Sequence, residues 1–151
     1  VQNSKRKTTT QSPLNIDVIN QTRINQRQLQ ISHIKKTARQ LNVIFDYPTN
    51  QPIEIILATP GQIKTINREH RGKNEATDVL SFPQHFHDKF PQNILGTIIL
   101  CPTVIKKQEG AYDLIPYLIH GYLHLMGYDH MSKSEQKEWD KIQKWVLKLI
   151  G

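Results

Sequence analysis

Three of the chain's seven histidines fall in the stretch His120-Gly121-Tyr122-Leu123-His124-Leu125-Met126-Gly127-Tyr128-Asp129-His130. Four residues of helix turn about 400° and rise about 6 Å, so His120 and His124 leave one face, one turn apart. An unbroken helix would carry His130 roughly 240° away from that face. Gly127 offers the exit, because glycine readily takes the left-handed conformation that ends a helix. The chain can then fold back and bring His130 to the same point. A lone histidine on an apolar helix is usually a packed core residue. Three at this spacing, with a helix-ending glycine between the second and third, read as ligands. Three imidazoles suit one zinc ion, with a fourth position left for water. The set contains no cysteine or carboxylate, which points to an open catalytic site rather than a closed structural one. The candidate metal ligands are therefore His120, His124 and His130, holding one Zn2+ per chain.

The spacing H-x-x-x-H-x-x-G-x-x-H is also that of the metzincin proteases, which carry a glutamate general base directly after the first histidine. Here Gly121 stands in that place. The exchange removes the carboxylate and is expected to leave the space beside the ion open. Zinc lowers the pKa of bound water to about 7 without such a glutamate. Peptide hydrolysis also needs a proton carried to the leaving amine, and the residue that usually carries it is missing. A peptide substrate is therefore disfavoured.

The chain has 151 residues, enough for one domain with a real core. Its net charge of +7 is uneven, with 8 basic and 2 acidic residues among the first fifty. A basic surface favours polyanions, although a solvated tail that only aids solubility would show the same charge. Cys101 is the only cysteine, so no intrachain disulfide is possible and a reducing compartment fits. It lies in an apolar run and reads as a small core residue rather than a nucleophile. No run approaches the ~18 apolar residues of a membrane span. Lys5-Arg6-Lys7 is followed by threonines rather than by the apolar region of a secretory signal. The expected location is the cytoplasm, with no membrane partner.

Residues 1–13 hold one apolar side chain, Val1, and are expected to form a disordered basic tail. Leu14 to Val18 alternate as a half-buried strand. Residues 26–41 place Ile31, Ile34, Ala38 and Leu41 at helical spacing. Residues 52–58 form a second strand. Thr59, Pro60 and Gln62 then open a helix with a capping box, and Gly72 closes it. Residues 79–82 and 97–100 read as two more strands. They are joined by a loop containing His85-Phe86-His87, whose histidines read as solvated rather than as a second metal site. The metal helix begins near Asp113 or Leu114, since Pro116 is tolerated only in a first turn, and runs to about Met126. Ser132 and Glu135 form a capping box for a last helix, with Trp139, Ile142, Val146 and Leu149 as its inner stripe. Trp139 and Trp145 read as packing residues rather than base-stacking platforms.

The histidine stretch closely resembles the HGxLHLxGYDH signature of the YbeY family of metal-dependent endoribonucleases. The block Asn67-Arg68-Glu69-His70-Arg71-Gly72-Lys73-Asn74-Glu75-Ala76-Thr77-Asp78-Val79-Leu80-Ser81-Phe82-Pro83 resembles that family's N-x-x-Y-R-G-K-x-x-x-TDVLSFP motif. The resemblance covers about residues 14–151 and makes them one domain. It implies an α+β fold with a four-stranded mixed sheet, surrounding helices and a zincin-like metal helix. It also implies a zinc-dependent endoribonuclease of rRNA maturation and ribosome quality control, with single-stranded RNA, rRNA or a ribosomal subunit as partner. Arg71 is the candidate catalytic residue, because a guanidinium can grip two phosphate oxygens at once. Arg68 and Lys73 could extend that path along the backbone. Asp78 is expected to order the Thr77–Pro83 turn, and Asp129 to orient a ligand by hydrogen bonding.

Three departures from the pattern stand out. His70 replaces a tyrosine, Thr97 replaces the aspartate of L-G-D-I, and the segment before His120 is shorter. Two other functions stay open at this point. One is a metallohydrolase of another kind, such as a peptidase; the other is a ribosome-associated factor with a mainly structural metal.

Overall fold

The computed structural model describes residues 16–46, 53–83 and 96–151; the basic tail 1–13 and the His85-Phe86-His87 loop lie outside them. In chain order the elements are β1 (Asp17–Asn20), α1 (Gln26–Leu29), α2 (Ile31–Ile44), β2 (Ile53–Leu57), α3 (Pro60–Arg71), β3 (Val79–Pro83), β4 (Gly96–Leu100), α4 (Pro102–Glu109), α5 (Ile115–Leu125) and α6 (Lys133–Ile150).

The strands form one mixed sheet of order β1-β2-β4-β3, with β1, β2 and β4 parallel and β3 antiparallel on the edge beside β4. Side chains alternate between the two faces of a strand, so the register decides which row meets which helices. The row Val18, Ile55, Ile98 and Ser81 faces the larger core, with Ile53, Leu57 and Leu100. That core is completed by Ile34, Ala38 and Leu41 of α2, Leu118, Ile119, Tyr122 and Leu123 of α5, and Trp139 and Val146 of α6. Leu80, Phe82 and Ile99 face the other way, against Ile63 of α3 and Cys101. With helices on both sides, every residue of β4 is buried.

Several expectations shift by a few residues for identifiable reasons. β1 starts at Asp17 and continues to Asn20, because its partners run from Glu54 to Leu57. The predicted helix 26–41 is two helices, broken at Gln30, which sits in the left-handed region at φ 52°. The short segment before His120 contains the eight-residue α4, capped by Gly110 at φ 82°. Leu149 does not join the inner stripe of α6. It is 51% exposed near the helix end, while Trp139 and Val146 are buried. Trp145 is half exposed and packs edge-on against Phe45, with ring centroids 6.3 Å apart. Among the described residues, no helix is long and apolar enough to cross a membrane.

Candidate metal centre

The helix that carries the first two histidines is short and apolar. Pro116 lies in its first turn, where its missing N–H leaves no hydrogen bond unmade. Its end is built by the residues that follow. Gly127 adopts φ 93°, and the N–H groups of Gly127 and Tyr128 donate to the carbonyls of His124 and Leu123. This left-handed exit reverses the chain and returns His130 to the face of His120 and His124. The three donor nitrogens lie within 4.8 Å of one another, and each ring is half-buried. Ser132 and Glu135 then open α6 with a reciprocal capping box, at 3.1 Å in both directions.

The donor set fits zinc. The Nε2 atoms of His120 and His124 are 3.2 Å apart. Two nitrogens held tetrahedrally on one zinc, each at about 2.05 Å, stand about 3.3 Å from each other. Without an ion, that distance is also one hydrogen bond between a protonated and an unprotonated ring nitrogen.

Electrostatics favour the neutral, ligating form of His120 and His124. Burial, followed by the charges of His124 and His130, pushes His120 down to about 4 from an ordinary 6.5. His124 is lowered too, first by burial and then by His130, while Asp129 and the Tyr128 backbone act against the shift. In the metal-free protein the unfolded chain therefore takes up protons on His120 at a higher pH than the folded chain does. Stability is full above the unfolded value and is lost as pH falls from about 6.5 towards about 4. Calorimetry in chelator should show the melting temperature falling across that window, with a shallower fall in His120→Gln. An equally steep fall in both proteins would remove His120 as the cause.

Gly121 plays a different part from the one expected. The space into which a side chain at 121 would project is filled by the sheet. A Cβ built on Gly121 would lie 2.8 Å from Ile98 Cγ2, 3.0 Å from Ser81 Oγ and 3.3 Å from Val79 Cγ2. Glycine is needed here so that α5 can lie close on β3 and β4. Ser81 Oγ–H donates to the Gly121 carbonyl at 3.1 Å and ties the metal helix to the edge strand. Gly121→Ala should destabilise the fold by about 1–3 kcal/mol, as added methyls do in packed cores. Urea unfolding measures it, and an unchanged midpoint would show that the sheet gives way without cost.

The second motif begins on α3. Arg71 is the last residue of α3 and is exposed. Its charge reaches His124, where it adds to the lowering of that imidazole. Gly72 closes the helix at φ 71°, and buried Asn67 donates its side-chain N–H to the Glu75 carbonyl at 3.0 Å. That bond pins the 72–78 connection under the helix end, a role that the order of residues alone does not reveal. Arg68 and Lys73 are exposed at the same end. His70 packs on Phe82, with ring centroids 5.5 Å apart. Thr97 is buried and donates to Glu54 Oε1 across the strands at 3.3 Å. The carboxylate at that level of the sheet thus comes from β2.

Asp129 accepts from the backbone N–H of His130 at 2.8 Å and so shapes the turn. The connection beyond Asp78 is tied by its backbone, whose carbonyl accepts from Cys101 N–H at 2.8 Å. Cys101 itself is fully buried, and burial raises its thiol pKa, as suits a core residue.

The chain is similar to known proteins. The family model described as "Endoribonuclease YbeY" matches residues 14–151. A relative named endoribonuclease YbeY from Buchnera aphidicola is 36% identical over 105 residues, 66% of this chain and 66% of the relative. One of the same name from Staphylococcus carnosus is 32% identical over 133 residues, 81% of this chain and 85% of the relative. The solution structure of a Thermotoga maritima protein matches with a TM-score of 0.52 at 24% identity, over 87% of this chain and 89% of that one; at that identity it speaks for the fold alone. The family match runs through both motifs and through the sheet that joins them, and the chain belongs to the YbeY endoribonuclease family.

Proposed function

We propose that this protein is a zinc-dependent endoribonuclease that cuts single-stranded RNA, with rRNA or a ribosomal subunit as its natural partner in the cytoplasm. The observation that carries the reading is the convergence of His120, His124 and His130 in a chain of this family. These three residues would hold the ion. When bound, zinc polarises a phosphoryl oxygen and lowers the pKa of water.

The chain's own residues account for the rest. Position 121 offers no carboxylate and no room for one. Arg71 would grip the non-bridging oxygens of the phosphate as charge builds there, because a guanidinium can make two parallel hydrogen bonds to such a group. Arg68 and Lys73 extend the positive charge for neighbouring phosphates of a flexible single strand. Asn67 and Gly72 hold the end of α3 that presents these cations.

The test is cleavage of an end-labelled single-stranded rRNA fragment by the purified protein. Cutting should stop on chelation and return with added zinc, while a double-stranded control and an unstructured peptide stay intact. A protein that retains zinc and binds ribosomal subunits but leaves the RNA uncut would be a ribosome-associated factor with a structural metal. Cleavage of the peptide instead would make it a protease.

A further inference from the structure

Ligating histidines are normally held in place by a hydrogen bond from the second ring nitrogen to a carboxylate, a carbonyl or water. Here His124 has such support from the Tyr128 backbone. Among the described residues, neither His120 nor His130 has a ring hydrogen bond to a carboxylate or a carbonyl; the one ring partner of His120 is His124. Asp129, the nearest acid in sequence, spends its carboxylate on a backbone N–H. Packing is a further means of orienting these rings.

One side chain touches all three. The ring centroid of Trp139 lies 4.8 Å from that of His120, 4.7 Å from His124 and 4.8 Å from His130. The histidine centroids are themselves 4.8, 5.4 and 5.2 Å apart. Four rings therefore stand at the corners of a nearly regular tetrahedron, with the indole over the middle of the histidine triangle. None of the three contacts is a parallel stack; the interplanar angles are 61°, 46° and 76°. With His120 and His130 the edge of one ring meets the face of another, a favourable arrangement for aromatic groups, while His124 is tilted against the indole.

The indole is itself fixed. Its Nε1–H donates to Gln143 Oε1, one turn further along α6, at 3.1 Å. It is 3% exposed and belongs to the larger core, whereas the three histidines are half-buried. The side of the triangle that Trp139 covers is thus the core side. The capping box of Ser132 and Glu135 sets where α6 begins, and so sets the height of Trp139 against the rings.

We propose that Trp139 is the positioning residue of the metal centre: its indole backs the three imidazoles from the core side and fixes their orientation by packing against all three rings. The proposal rests on the three histidines being the ligands. It assigns no contact with substrate to Trp139. Its reach is metal affinity and the geometry of the bound ion.

The test uses the whole protein and the metals alone. The chain has two tryptophans, Trp139 and Trp145, so Trp145→Phe makes Trp139 the sole fluorophore. Titrating that variant with Co2+ should quench most of its emission at one equivalent, since the indole lies against every ligand ring. Zinc affinity is then read by competition with a chromogenic chelator. Trp139→Ala should weaken it about tenfold to a hundredfold, the usual loss when support behind a ligand is removed. Trp139→Phe keeps an aromatic ring and should recover most of the affinity. The visible absorption of bound Co2+ should change in Trp139→Ala and stay close to the parent in Trp139→Phe. If Trp139→Ala does not fold, the quenching and the Trp139→Phe spectra still decide.

Absence of quenching, or wild-type zinc affinity together with an unchanged Co2+ spectrum in Trp139→Ala, would reduce Trp139 to a core residue and overturn the proposal. Failure of the ligand assignment itself would look different: His120→Ala and His130→Ala would then keep full zinc stoichiometry.

Discussion

His124→Ala is expected to leave the purified protein with almost no zinc. The three donor nitrogens are within 4.8 Å of one another, and among the described residues no cysteine or acid joins the group. Losing one of three ligands leaves two imidazoles, and the ion must fill the gap with water. Removing even an outer partner of a ligand costs about tenfold to a hundredfold in affinity, so removing the ligand itself should cost more than a hundredfold. His120→Ala and His130→Ala should behave alike, since the proposed set is symmetric in kind. The metal-to-protein ratio after dialysis, measured by plasma emission, checks each variant. The fold should survive, because all three side chains are half-buried and border the main core without filling it. Full stoichiometry in any two of the three variants would sink the ligand assignment.

Arg71→Ala should lower the rate of RNA cleavage about a hundredfold while metal content and melting temperature stay near the parent. Loss of one well-placed electrostatic contact in the transition state costs about 3 kcal/mol. Arg71 is exposed at the end of α3, so little folding energy rests on its side chain. Its charge is nevertheless felt at His124, where it adds to the lowering of that imidazole. Arg71→Lys keeps the charge but loses the planar fork, and should recover little of the rate. Single-turnover cleavage with zinc-loaded protein gives the comparison. Wild-type kinetics in Arg71→Ala would take this residue out of the mechanism.

Much of this was legible before any coordinates. Thr59, Pro60 and Gln62 at one end of α3 and Gly72 at the other are local signals, and each acts through the backbone within four residues. The i, i+4 spacing of His120 and His124, with a glycine three residues further on, is a signal of the same kind. So are the isoleucines and leucines of β2 and β4, and the order of the two motifs carried the α+β fold with its mixed sheet. Nothing local, however, marks what an element meets when the chain folds. Gly121 reads in sequence as a missing carboxylate; only the register that sets Ser81 beside Ile98 makes it the point where α5 touches the sheet. Asn67 reads as a motif letter until its side chain is seen to clamp the connection before β3. Trp139 reads as one apolar position in the stripe of α6. Its contact with all three histidines depends on the turn at Gly127, the cap at Ser132 and the packing of α6 on α5. Backbone signals are short-ranged and can be read residue by residue, whereas the partners of a buried side chain are decided by how separately specified elements pack, and that is settled in three dimensions alone.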